Sequence, residues 1–128
     1  MAAGFNVTLR NAMLNAITTA TGSAGLLRVY NGTRPATGAS AGGSTLLAEA
    51  TCGSPFAPSA SGGVLSPTLP ASTLIVATAE ANWWRLLTSG AVHVMDGSVG
   101  VELIINFPDL VNGEPLDITS WTITSGNA

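Results

Sequence analysis

The hydrophobic period of this chain changes once, at Gly22–Gly25, and does not change back. That switch is the strongest constraint on what the chain can fold into. Before it, Val7–Thr21 reads VTLRNAMLNAITTAT. Leu9, Met13 and Ile17 recur at four-residue spacing with Leu14 beside them, which predicts a helix with one apolar face. Arg10, Asn11 and Asn15 fall toward the other side. Asn6 or Thr8 suits the N-cap, and Gly22 stands where a C′ glycine ends a helix. The Leu9–Met13–Ile17 stripe reads as a packing surface, for its own domain or for a neighbouring molecule.

After the switch, apolar residues come in short runs bounded by Gly, Pro, Ser and Asn. LLRVYNG (Leu26–Gly32) predicts a strand with Leu27 and Val29 on one face and Arg28 and Tyr30 on the other. TLLAEATC (Thr45–Cys52) predicts a second, with Leu46, Ala48, Ala50 and Cys52 inward and Leu47, Glu49 and Thr51 outward. Gly/Pro-rich segments, TRPATGASAGGS and GSPFAPSASGG, follow these two strands, and Phe56 is the expected anchor of the second. Further strands are expected in Val64–Thr68, in Ser72–Leu86 (two strands or one bent one), in Ala91–Val99, in Val101–Phe107 and in Leu116–Thr124. The predicted fold is mainly β: an antiparallel β-sandwich or small barrel-like fold of about seven to eight strands with one N-terminal α-helix. Residues 1–24 form the helical segment and 25–128 a single β domain. At 128 residues the chain can bury a core without metal or disulfide support.

Composition excludes several functions. Hydrophobic residues make up 46% of the chain and charged residues 9%, so a solvated disordered chain is not expected. The formal net charge is −3 and the only basic side chains besides His93 are four scattered arginines, Arg10, Arg28, Arg34 and Arg85. Nucleic-acid binding needs a clustered cationic surface, so no nucleic-acid partner is expected. Mean hydropathy is +0.42, yet the most apolar run, Leu74–Ala79, stops at Glu80, far short of the ~20 residues of a spanning helix. No membrane association is expected. Arg10 and Asn11 interrupt the apolar segment a signal peptide would need, so a cytosolic site of synthesis is expected.

Catalytic signatures are missing from the pattern. His93 is the single histidine, and regular alternation places Asp96 on the opposite face from it, so the two are not expected to meet. The Gly-x-Ser-x-Gly match at Gly38–Gly42 lies in a Gly/Ala-rich loop that precedes a predicted strand, not at the strand-to-helix turn of a nucleophile elbow, and without lysine there is no phosphate-cradling P-loop. Cys52 is alone, so it forms no internal disulfide and no thiolate cage. Asp109, Glu114 and Asp117 flank Asn112-Gly113 without the alternating oxygen ligands of a calcium loop. No enzyme activity, metal or cofactor is expected.

The adjacent Trp83 and Trp84 must point to opposite faces of a strand. Continuing the row Ile75, Ala77, Ala79, Ala81 puts Trp83 inward and Trp84 outward, although one β-bulge exchanges them. An outward Trp84 suits stacking on a sugar, burial against another protein chain, or cover by an element of the same molecule such as the N-terminal helix.

Several segments carry a resemblance: LLRVYNGTRPATG (Leu26–Gly38), TLLAEAT (Thr45–Thr51), WWRL (Trp83–Leu86), VMDGSVG (Val94–Gly100) and ITSWTIT (Ile118–Thr124), together with RNAMLNAI (Arg10–Ile17). In this order they resemble a family of small virion-associated structural proteins of tailed bacteriophages. The resemblance implies a β-rich particle component, such as a capsid decoration (cement) protein or a neck, collar or tail component. It implies the major capsid protein or other virion proteins as partners and a location in the virion, assembled in the host bacterial cytoplasm. A homo-oligomer is expected, with a trimer favoured on symmetry grounds. Leu9, Met13, Ile17, Arg34, Phe56 and Trp84 are the candidate interface residues. A carbohydrate-binding module on a fibre or baseplate, using Trp84 and the loops around Arg34 and Phe56, is the alternative.

Overall fold

A computed structural model describes residues 4–124. One helix, α1 (Val7–Thr21), precedes ten strands among these residues. The largest sheet comprises β1 (Leu26–Asn31), β2 (Thr45–Thr51), β5 (Trp83–Leu87) and β6 (His93–Ser98), in the antiparallel order β2-β1-β5-β6. Three two-stranded ladders complete the fold. They pair β3 (Val64–Leu65) with β10 (Ile123–Thr124), β4 (Ala79–Glu80) with β8 (Asp109–Leu110), and β7 (Leu103–Ile105) with β9 (Ile118–Trp121). The mainly β architecture with a single leading helix agrees with the expectation. The strands are more numerous and shorter than expected because Ser72–Leu86 and Leu116–Thr124 each split into pieces that pair with different partners. Among the described residues no helix is long and apolar enough to cross a membrane.

The core lies on one face of the large sheet, where Leu27, Val29, Ala48, Trp84 and Leu86 meet Leu65, Leu103, Trp121 and Ile123 from the short ladders. Its centre is aromatic. Trp121 stands edge-on to both Trp84 and Phe56, with ring centroids 5.3 and 5.2 Å apart, the geometry that quadrupolar rings favour. Gly97 lies opposite Trp84 across the β5–β6 ladder, and a Cβ there would overlap the indole and the Glu102 carboxylate. The missing side chain makes room for the ring.

Three ladders contain a one-residue slip, and each slip moves side chains to the face opposite the one simple alternation assigns. In β2 the register passes from Ala48 to Leu46, so Leu47 is an extra residue and is fully buried, whereas Leu46 is only half-buried. This corrects the expected inward row of Leu46 and outward Leu47. In β6 it passes from Met95 to His93 across Val94. In β9 it passes from Ser120 to Ile118 across Thr119, which allows both Leu116 and Trp121 to be buried although their sequence parities differ.

The helix ends follow the sequence. Asn6 Oδ1 accepts from the Leu9 N–H at 2.8 Å, and Gly22, at φ +69°, donates its N–H to the Thr18 carbonyl at 3.1 Å. Its orientation does not follow the apolar stripe. Leu9 and Met13 are 47% and 40% exposed and Ile17 is half-buried, whereas Leu14 and Thr21 are buried. The reason is polar. Ala60 and Gly63 present backbone N–H groups to the helix, and these bond to Asn15 Oδ1 at 2.7 Å and Asn11 Oδ1 at 2.9 Å. Satisfying part-buried amides outweighs covering two flexible apolar side chains that remain partly solvated.

Candidate functional site

The tryptophan pair is reversed relative to the expectation. Trp84 faces the core and is fully buried, as is Phe56, so neither belongs to an accessible surface. The reversal arises because the row Ile75–Ala81 does not run continuously into Trp83. Segment β4 pairs with β8, while β5 pairs with β1 and β6, and the phase is lost at the junction. Trp83 lies on the opposite face of the sheet, and it too is fully buried. Its cover is the Gly/Ala-rich segment between β1 and β2, which sequence reasoning treated only as a loop.

That covered face carries the chain's main ionic cluster. Trp83 stacks on Tyr30 with centroids 4.3 Å apart and planes 11° from parallel, and the Arg85 guanidinium lies 5.1 Å from the Trp83 ring centre. Arg85 donates through Nε and Nη2 to the two Asp96 oxygens at 2.7 and 3.1 Å. It also donates to the Ala39 carbonyl at 2.6 Å. Asp96 in turn accepts from the Gly38 N–H at 3.1 Å, and Trp83 Nε1 donates to Ser44 Oγ at 3.2 Å. Three bonds therefore fasten the segment 38–44 to the sheet: Arg85 to Ala39, Gly38 to Asp96 and Trp83 to Ser44. Arg28, cross-strand from Arg85, donates to Glu49 at 2.6 Å.

His93 lies 3.2 Å from Asp96 Oδ1, although their parity in the sequence separates them. The slip at Val94 brings them to one face. Its Nε2 is not aligned for a hydrogen bond to that oxygen. Burial alone would raise the Asp96 carboxyl, but bonds from Arg85 and the Gly38 N–H outweigh it and hold the group below the usual range. The hydrogen bonds from Asp96 and Glu49 raise Arg85 and Arg28, respectively. A carboxylate held ionised by a bidentate arginine is a poor proton acceptor, so the arrangement suits clamping of the loop. Cys52 lies in the core, where burial pushes its thiol up to about 12, leaving it protonated and unreactive at neutral pH. Among the described residues no three His, Cys, Asp or Glu side chains converge to hold a metal ion.

Two surface features remain. The first is the outer side of α1, where Leu9 and Met13 are each at least two-fifths exposed; Arg34, on the loop after β1, is also exposed. The second is a cavity of about 390 Å³ beside the β8–β9 connection. Its apolar lining includes Ile75, Ile105, Leu110 and Val111, and Asp109, Glu114 and Asp117 also line it. Ile75 is fixed between strands, donating to the Glu114 carbonyl at 2.9 Å and accepting from the Gly113 N–H at 2.8 Å. The sequence marks the three carboxylates but gives no signal for the cavity, whose walls are separated by about thirty residues.

Of the candidate interface residues, Leu9, Met13 and Arg34 are therefore on the surface, Ile17 is half-buried, and Phe56 and Trp84 are interior. No protein-family model, curated protein or solved structure matches the chain.

Proposed function

We propose that this chain is a structural protein of a bacteriophage virion, a capsid decoration protein that stabilises the particle through protein–protein contacts as a homo-oligomeric trimer. One observation carries the reading: α1 is docked by its polar side, leaving Leu9 and Met13 outward on a capped helix. Apolar side chains directed outward on a weakly charged surface favour association, because their burial releases water. The sequence resemblance supplies the particle. Attachment to a repeated lattice makes many modest contacts effective together. A neck, collar or tail location uses the same chemistry and is distinguished by which particle fraction retains the protein. The carbohydrate-binding alternative loses its stacking residue, since Trp84 is enclosed.

The test is size-exclusion chromatography with light scattering, followed by co-sedimentation with capsids. The wild-type chain is expected to run as a trimer and to pellet with particles. The Leu9→Ser/Met13→Ser double variant is expected to run as a monomer with an unchanged circular dichroism spectrum. A wild-type monomer that never pellets with particles or their fragments refutes the proposal.

A further inference from the structure

We propose that the cavity beside the β8–β9 connection is a docking site for a segment of a partner protein that presents arginine next to an apolar side chain. The inference does not depend on the virion role. Its first support is the distribution of charge. Arg28 and Arg85 are committed to Glu49 and Asp96, whereas Asp109, Glu114 and Asp117 take part in no side-chain hydrogen bond or ion pair among the described residues. All three line one cavity. The acidic excess of a chain with net charge −3 is therefore concentrated where the surface is also concave and apolar.

The second support is a like-charge pair. Asp109 lies directly across the β4–β8 ladder from Glu80, and both are exposed. Like charges in register across an antiparallel pair are destabilising. Glu80 receives one bond from Asn82 Nδ2 at 2.9 Å, and among the described residues no cation pairs with either carboxylate. A cation from outside would relieve that repulsion.

The chemistry of the occupant follows from the lining. These acidic groups do not converge as metal ligands do, so a bare ion gains little. Phe107, 72% exposed on the cavity wall, is an aromatic side chain of the kind on which a guanidinium stacks. Ile75, Ile105 and Leu110 form an apolar floor for the residue beside it. Two of this chain's four arginines are already paired, so a segment of a different, more basic protein suits the site better than a second copy.

The test uses isotope-labelled protein and the blocked peptide acetyl-GRLRG-amide, followed by amide chemical shifts at low salt. Shifts are expected to cluster at Ile75 and Ile105–Asp117, to weaken as salt is raised and to shrink strongly with acetyl-GELEG-amide or acetyl-GRSRG-amide. Glu114→Gln/Asp117→Asn is expected to weaken binding by about two- to fivefold per charge removed, with the spectrum elsewhere unchanged. Shifts scattered over the surface, or equal binding of the charge-reversed peptide, overturn the proposal. Failure of the wild-type chain to pellet with particles while the peptide still binds refutes only the virion role. Pelleting without peptide binding refutes only this site.

Discussion

Replacing Asp96 with alanine removes a side chain that is only 1% exposed and leaves the Arg85 guanidinium, 9% exposed, without its carboxylate. What remains is one bond to the Ala39 carbonyl and the face of Trp83. Arg28 lies cross-strand and now repels an uncompensated neighbour. Breaking a buried pair in this way costs about 3–5 kcal/mol, a large part of the ~5–15 kcal/mol that holds a domain of this size folded. With a urea m-value of about 2 kcal/mol/M, the midpoint falls by about 1.5–2.5 M. Equilibrium urea unfolding followed by tryptophan emission reads this directly. The native emission should also shift, because the Gly38–Asp96 bond is lost and the cover over Trp83 loosens. Arg85→Leu/Asp96→Ala should recover most of the lost stability, since replacing both charges with apolar groups removes the desolvation penalty. It should not restore the emission. The acid limb follows from the same group. In the unfolded chain Asp96 titrates near the ordinary ~3.9, and in the folded protein it titrates lower. Between these values the unfolded state binds the proton and the folded state does not. The stabilisation is therefore complete above the unfolded value and is lost as pH falls through the folded one. Asp96→Ala should flatten that limb. A single variant within about 1 kcal/mol of wild type, or a double variant less stable than the single, would refute this account of the cluster.

Gly97→Ala places a methyl group into the Trp84 ring and should cost about 1–3 kcal/mol or more in urea unfolding. Gly100→Ala, at φ +92° with open space around it, should lose only the smaller backbone contribution of about 1 kcal/mol. Equal losses would show that Gly97 is not a seat for the ring. The Cys52 thiol should resist Ellman's reagent at pH 8 in the native protein and react fully in urea; rapid native labelling would contradict its burial. Because its folded value of about 12 lies above the ordinary ~8.5, its contribution is intact below pH 8.5. It is lost as pH rises toward 12, at about 1.4 kcal/mol per unit.

Local chemistry made parts of the molecule legible in the sequence. Asn6 and Gly22 bound the helix because a side-chain acceptor and a positive-φ residue are needed at those ends whatever the surroundings. Leu27 and Val29 take one face and Arg28 and Tyr30 the other, as alternation requires, because β1 runs in register with β5 without a slip. The scarcity of cations and the solitary cysteine are properties of composition and needed no fold.

The rest depended on partners distant in the chain. Whether alternation survives a strand is decided by its neighbour, and a single extra residue at Leu47, Val94 or Thr119 moves the following side chains across the sheet. Such a slip brings His93 to Asp96, while the change of partner between β4 and β5 sends Trp84 into the core. The outward face of α1 was likewise settled by the amide needs of Ala60 and Gly63, not by the helix's own apolar pattern. The sequence determined which elements form and what chemistry they carry. Tertiary pairing decided which way they face, because hydrogen-bond register and amide satisfaction are set between segments and leave no local periodic trace.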